Sequence, residues 1–332
     1  MPDAKSTPEL APALLAALEE VRGELRALRK RVDLLEGRGS GAPSRNKESK
    51  AERHARRWER RRARQLPEME AWTRALDARP RPTDPDDLSG YAFRMLSQHA
   101  EDGVVYEILR RLGMPFRTCV ELGCGANGGN SGILPAFLGY RALMVDGNPD
   151  LTEIVQGLFA SRDVTVMNAW IALESVNDLL SAQGFGGQID YLGLDLDGND
   201  FWIWEAITAS DPLLFVAEYN PMLGPTLSAT IPYDPTFDRH QSKKLGYPVG
   251  YYGASLAAFT KLSRRKGYRL VATVENNAFF LKEDQRPELR TVTPEDGWRM
   301  RTKGQAAADY EAIHRQDPLQ YFADSGWPLV EI

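Results

Sequence analysis

Cysteine is nearly absent from this chain. Its 332 residues hold two, Cys119 and Cys124, which excludes a disulfide framework and a cysteine-built zinc cluster. Thiols so few fit a reducing, cytoplasmic setting. Long apolar runs are missing as well. No stretch approaches the roughly 20 residues of a membrane-spanning helix, so no membrane span is expected. The opening MPDAKSTPEL lacks the basic-then-apolar order of a secretory signal. Aromatic residues are missing where charge is densest. Between residues 51 and 65 only Trp58 interrupts the charge, so unstacked bases find little platform and nucleic acid is not an expected partner.

The bulk composition is ordinary, with 42% apolar and 26% charged residues, and the length suffices for one α/β domain plus an appendage. The net charge of -5 conceals an asymmetry. Between Arg45 and Gln65 stand ten Lys or Arg against three Glu, a local +7 that leaves -12 for the rest. Three readings of this basic arm stay open: a solvated helix, an anchor for phosphate-rich partners, or an arm laid on an acidic neighbouring subunit.

Ahead of the arm, residues 10–36 carry a heptad. Leu14, Leu18, Val21, Leu25, Leu28, Val32 and Leu35 are spaced alternately by four and three, the seam of a coiled coil. With Leu18, Leu25 and Val32 at a, Glu24 at g faces Arg29 at e, and Arg31 faces Glu36. Both pairings are attractive in a parallel arrangement, so self-association through residues 10–36 is expected. The alternative is an amphipathic helix packed on its own body. Gly, Ser and Pro make 37–50 a flexible linker, and a second linker ends near 87. The chain thus divides into a coil (1–36), a linker with the basic arm (37–87), a main body (88–284) and a C-terminal extension (285–332) whose scattered aromatics read as packing.

The body is organised around TCVELGCGANGGNS, residues 118–131. Cys119 to Leu122 reads as a short buried strand, followed by a glycine turn and a helix start at Ser131. Glycine admits positive φ and lets a ligand lie against bare main chain. A second strand, 142–146, ends in Asp146, about 20 residues past the glycines, where a carboxylate can clasp a ribose diol. The Gly-x-Gly-x-x-Gly spacing by itself fits NAD equally well. The βα alternation continues with strands at 164–167, 189–194 and 213–217. Helices are expected at 131–139, 149–160, 174–182, 199–209 and 254–266, and 268–274 with 278–282 would form an edge hairpin. An amphipathic helix from Asp102 to Leu112 leads into the first strand. Functional groups gather at the carboxyl ends of such strands, which are Glu121, Asp146, Asn168, Asp195 and Glu218.

From about Ser97 to Asp284 the sequence resembles class I S-adenosylmethionine (SAM) dependent methyltransferases. Within that class it is similar to FkbM-like and related sugar or natural-product O-methyltransferases. The resemblance rests on SQHAEDG, VELGCGANGGNS, LMVDGNP, VMNAW, YLGLDLDGNDFWIWEAI, and YYGASLAAFTKLSRRKGYRLV with NAFFLKED, a little over half the chain. It implies an α/β, Rossmann-like, seven-stranded sheet behind an N-terminal coiled-coil helix, with SAM as cofactor. In that reading Gly123, Gly125 and Asn127 form the turn against the methionine part, and Glu121 holds its ammonium through strand-end carbonyls or water. Asp146 takes the ribose, Asn168 and Ala169 flank the adenine, Gln98 and Asp102 border the cofactor, and Asp195 closes the pocket below the methyl group.

The acceptor must be aligned and relieved of one proton. Asp195, Asp197, Asp200, Glu218 and His240 are the candidate bases, with Asp195, Asp197 and His240 foremost. The strand-end acids, together with Asn220 in the Glu218-Tyr-Asn220 run, also offer oxygen ligands to a hard divalent ion such as magnesium, although related sugar enzymes carry paired acids where EYN stands at strand five. Asp200 reads equally as a turn and cap residue in DLDGND. The 219–251 insertion is long enough to be a functional lid for a sugar ring or another flat face. No Asp-Pro-Pro-Tyr or Asn-Pro-Pro-Tyr run follows strand four, which argues against methylation of base amines. The expected activity is methyl transfer to a hydroxyl of a small-molecule or glycan acceptor. Two alternatives stand beside it: a nitrogen or macromolecular acceptor docked by the basic arm, and a SAM-binding coiled-coil scaffold.

Overall fold

The structure is a computed structural model that describes residues 84–332 except 85, 161, 287 and 301–303, together with residue 56. The side chains of residues 240, 242 and 243 are not among those described. The expected coil (10–36), linker (37–50), most of the basic arm (51–65) and most of the second linker lie outside the described residues.

Helix α1 (Glu101–Leu112) turns an apolar stripe of Val104, Val105, Ile108 and Leu109 inward and stops at Gly113, whose φ of 81° provides a left-handed cap. The βα rhythm follows: β1 (Thr118–Leu122), α2 (Ile133–Phe137), β2 (Arg141–Asp146), α3 (Pro149–Leu158), β3 (Val164–Asn168), α4 (Val176–Ala182), β4 (Gly187–Leu194), α5 (Asp200–Ala206) and β5 (Ser210–Glu218). After the insertion, which holds β6 (Ala229–Thr230) and the short α6 (Ser242–Leu245), come α7 (Leu256–Arg265), β7 (Tyr268–Val274) and β8 (Asn277–Lys282). The C-terminal extension adds α8 (Pro294–Gly297), α9 (Gln305–Ile313), α10 (Pro318–Asp324) and β9 (Val330–Glu331).

Seven strands form one mixed sheet in the order β3-β2-β1-β4-β5-β8-β7. The first five are parallel, while β8 runs antiparallel to β5 and to β7. This is the Rossmann-like α/β sheet with an edge hairpin expected from the sequence. Alternate strand residues feed two apolar layers. Cys119, Met144, Tyr191 and Phe279 meet α1, α2 and α3, whereas Val120, Leu143, Leu192 and Phe280 meet α4, α5 and α7. Strand order reverses between β1 and β4, which opens a crevice at their carboxyl ends.

Several boundaries differ from the sequence expectation, among them the end of α5 at Ala206, three residues short. Helix α2 is five residues long, because the turn before it extends past Ser131; Pro135 sits in its first turn, as proline must. Strands β4 and β5 begin at Gly187 and Ser210. Pro212 reads as a strand stop, yet the pairing of β8 with β5 begins only at Leu214, so its missing N–H faces no partner there.

The 219–251 insertion is a built element, not an open loop. Trp202 Nε1 donates to Ile231 O at 2.8 Å, Asn199 Nδ2 to Asp234 O at 2.7 Å and Trp170 Nε1 to Pro235 O at 2.8 Å. The C-terminal extension closes over it. Strand β9 pairs with β6, and Met222, Leu223, Ile231, Phe237 and Tyr251 share an apolar cluster with Ile313 and Phe322. Among the described residues, no helix is long and apolar enough to cross a membrane.

Candidate active site

The glycine turn takes its shape from what lies behind it. Gly123 has φ 90°, and a Cβ there would lie 1.7 Å from the carbonyl oxygen of Asp195. The turn therefore packs bare backbone against the end of β4. Gly123 N and Cys124 N both donate to Val145 O, at 2.8 and 3.1 Å, which draws the turn across the end of β2.

Glu121 is buried beneath this turn. Its Oε1 accepts from Asn130 N at 3.0 Å and its Oε2 from Ser131 N at 3.1 Å. A Cβ on Gly129 or Gly193 would strike the same carboxyl, at 2.2 and 2.5 Å respectively. Burial pushes the Glu121 carboxyl up to about 7, partly offset by the loop's hydrogen bonds. Two amides that could have bound a phosphate are thus already held by a carboxylate.

Asp146 stands at the end of β2, half-buried. Its Oδ2 accepts from Gly125 N at 2.9 Å and its Oδ1 from Asn148 N at 2.8 Å, which fixes the carboxylate against the turn. Asn168 Nδ2 and Ala169 N both donate to the Asp146 carbonyl, at 3.0 and 3.1 Å, which ties the ends of β2 and β3 together. Gly123, Gly125, Asp146, Asn168, Ala169 and Asp195 are thereby gathered along one edge of the sheet.

The other expected cofactor residues mostly hold backbone. Asp102 is fully buried, and its Oδ2 accepts from the amides of Met95, Leu96 and Ser97 at 2.6, 2.8 and 2.9 Å. Burial raises this carboxyl to about 6 against the pull of those amides. Asn127 Nδ2 donates to Leu96 O at 2.7 Å, tying the glycine turn to the same segment. Gln98 follows that segment and is exposed.

The acids sort themselves. Asp195, Asp197 and Glu218 each bring one oxygen within 4.8 Å of the others. Burial drives Asp195 well above the ordinary carboxylate range, with the charges of Glu218 and Asp197 adding to it. Burial, then the charge of Asp197, raises Glu218 to about 8, while Arg239 pulls it back and Asp195 donates it a hydrogen bond. Asp197 has φ 59°, a left-handed conformation uncommon outside glycine. Asp200 stays outside this trio: it accepts from Leu196 N at 2.7 Å and Gly198 N at 2.9 Å and closes the DLDGND turn. His240 lies in the single helical turn Arg239–Gln241, and its side chain is outside the described ones.

Arg239, which sequence reasoning passed over, sits on the acids. Its Nη1 is hydrogen-bonded to Asp197 Oδ1 and lies 3.7 Å from Glu218 Oε2, with its Cζ 3.7 Å from the centroid of the Tyr252 ring. Asn276 donates to Glu218 from the other side. It reaches there because Asn277 pairs with Glu218, which sets the hairpin turn beside the end of β5. The expectation that Asn220 offers an oxygen ligand needs correction. Its Nδ2 donates to Gly250 O and Tyr252 O, at 2.8 and 2.7 Å, and its Oδ1 accepts from Met222 N at 2.9 Å, so the whole amide braces the insertion.

Two further groups were missed. Trp170 is 55% exposed, lies against Gly147 and bonds the insertion through Pro235, linking the ends of β2 and β3 to the insertion. Asn130 Nδ2 donates to Asn277 Oδ1 at 2.8 Å, and Asn277 Nδ2 to Glu101 Oε1 at 3.0 Å, a buried chain that couples the glycine turn to α1 and β8. Trp170 is legible only as an aromatic after a strand end. The others are separated by scores of residues and leave no local signal.

No family model matches the chain, and no curated protein matches it. Solved structures do. The fold is similar to the N-terminal domain of EvdMO1 with S-adenosylhomocysteine (SAH) bound, at 12% identity over 56% of this chain and 80% of that one, TM-score 0.36. It is similar to an O-methyltransferase from Bacillus cereus in complex with SAH, at 15% identity over 65% and 89%, TM-score 0.35. A third is 1,6-didemethyltoxoflavin-N1-methyltransferase from Burkholderia thailandensis, at 13% identity over 54% and 76%, TM-score 0.35. Likeness at this level settles neither family nor acceptor.

Proposed function

We propose that this chain is a SAM-dependent methyltransferase acting on a hydroxyl of a sugar, glycoside or related metabolite. The observation that carries the reading is the charge around the glycine turn. Glu121 occupies the amides of Asn130 and Ser131, and Asp146, Asp195 and Glu218 stand at the neighbouring strand ends. A dinucleotide would set its diphosphate against carboxylates and engaged amides. A cofactor with a ribose at one end and cationic sulfonium and ammonium groups at the other meets carboxyls that its own charge helps to ionise.

In this reading Asp146 clasps the ribose diol, held ready by Gly125 N and Asn148 N. The bare backbone at Gly123–Gly125 admits the methionine portion. Bound SAM supplies a methyl group already electrophilic on its sulfonium. The protein's task is to place the acceptor oxygen in line and take its proton. Asp195 and Glu218, half-buried side by side, are the base. A cation next to Asp195 favours the ionised form of the pair, so cofactor binding primes proton removal. With Glu218 raised to about 8, the pair can act as a base near neutral pH.

A divalent ion does not fit the trio as it stands, because Arg239 already engages Asp197 and lies against Glu218. No step is assigned to a metal. Self-association through residues 10–36 belongs to the same proposal, and light scattering of the full chain beside a chain lacking 1–36 tests it.

The reaction is tested by transfer of a labelled methyl group from SAM to a panel of sugars and glycosides. Turnover by the full chain that falls at least a hundredfold in Asp195→Asn supports the proposal. Label that reaches only amine or macromolecular acceptors overturns the hydroxyl assignment.

A further inference from the structure

We propose that Arg239 is the resident cation of the acid trio, a positioning residue that stands where a divalent ion would otherwise bind, and that Asn220 and Tyr252 are its seat. Three carboxylates converge at Asp195, Asp197 and Glu218. Left alone, such a trio repels itself and would draw a hard cation from solution. The guanidinium fills that role from within the chain. It is hydrogen-bonded to Asp197, sits 3.7 Å from Glu218 and lies over the Tyr252 ring at 3.7 Å, a distance at which ring and cation attract.

The seat is built. Asn220 donates to the Tyr252 carbonyl at 2.7 Å and to the Gly250 carbonyl at 2.8 Å, which fixes the segment bearing the ring. Asn220 is buried and comes two residues after Glu218, so one stretch at the end of β5 supplies both an acid of the trio and the brace for its counter-ion. Asp197 meets Arg239 from a left-handed backbone held by Asp200, which accepts from the amides on either side of it, Leu196 and Gly198. The EYN at strand five therefore replaces an acidic ligand with the support of a protein cation.

The test uses the full chain and free Mn2+ as the probe, followed by electron paramagnetic resonance, and it does not depend on methyl transfer. The proteins are the wild type, Arg239→Ala and Arg239→Met. The Met variant keeps an unbranched apolar stem over Tyr252 and guards against loss through unpacking. Wild type is expected to bind Mn2+ at least tenfold more weakly than either variant. Adding Asp197→Asn to Arg239→Met is expected to abolish the gained site. Equal Mn2+ affinity in wild type and variants would overturn the proposal, and so would no gain in either folded variant. Failure of SAH to bind would count against the proposed reaction and leave this result standing.

Discussion

Replacing Gly123 with alanine puts a methyl carbon 1.7 Å from the carbonyl oxygen of Asp195. Neither side can yield cheaply, because both are backbone at the ends of adjacent parallel strands. Three costs combine. A φ of 90° is left-handed and costs an L-residue roughly 1–2 kcal/mol. Forcing the strand ends apart costs about 1–3 kcal/mol as overpacking. The Asp195 N–H to Leu122 O bond, 2.9 Å long, lies in the path of that movement and is worth about 1 kcal/mol. The total of about 3–6 kcal/mol corresponds to a melting point lower by roughly 10 °C. Gly139 is the control: its φ is 67° and nothing lies within 4 Å of its missing Cβ, so Gly139→Ala is expected to cost about 1 kcal/mol. Gly125→Ala separates stability from binding. Its Cβ would meet only Asn127 Oδ1, at 3.4 Å, so it should melt near the Gly139 variant yet lose at least tenfold in SAH affinity. Thermal melts with SAH calorimetry read both effects. If Gly123→Ala melts with Gly139→Ala, or Gly125→Ala binds SAH like wild type, the account of the turn is wrong.

Three more expectations follow from the same geometry. Asp146→Asn should weaken SAH binding by about ten- to a hundredfold, since hydrogen bonds to a charged group are worth about 1.5–3 kcal/mol; unchanged affinity by calorimetry would dismiss the ribose clasp. With Glu218 raised to about 8, kcat/KM should climb as pH rises toward 8 and level off above it, and Glu218→Gln should remove that limb; a flat wild-type profile speaks against the carboxyl pair as base. Burial raises Asp102 from 3.8 to about 6, so the folded chain holds this proton more tightly than the unfolded one. Below pH 3.8 both states are protonated and the group contributes no penalty. As pH rises to about 6, unfolding releases a proton and stability falls, by about 3 kcal/mol for a shift of two units. Urea melts at pH 4 and 6.5 should show Asp102→Asn losing less than wild type by about 2 kcal/mol, the part of the shift that this window spans, and an equal loss would count against the desolvated carboxyl.

The sheet was legible because its signals are local. Short β-rich runs ending in Asp146, Asn168, Asp195 and Glu218 alternate with helical stretches, and the glycine turn announces itself in seven residues. The strand-end acids followed directly, because a parallel sheet sets every such end along one edge. The direction of individual side chains was not legible. Glu121 and Asp102 read as cofactor neighbours, yet each carboxyl turns to backbone amides supplied by segments several residues away in sequence. Asn220 read as a ligand because nothing at its position reveals that the carbonyls of Gly250 and Tyr252 lie alongside. Arg239 went unnoticed for the same reason: its partners Asp197, Glu218 and Tyr252 are brought to it by folding of the insertion, not by spacing. Pro212 hid the start of β5, since a proline in a strand is harmless only when the neighbouring strand stops short, a fact of tertiary structure.

The central claim is that a ribose-bearing sulfonium cofactor lies over Gly123–Gly125 with Asp146 on its sugar. Titration calorimetry of the full chain with SAM, SAH and NAD in parallel tests it most directly. Saturable one-to-one binding of SAM and SAH, weakened in Asp146→Asn, is expected, with no heat from NAD. Saturable NAD binding lost in Asp146→Asn, with no heat from SAM or SAH, would contradict it.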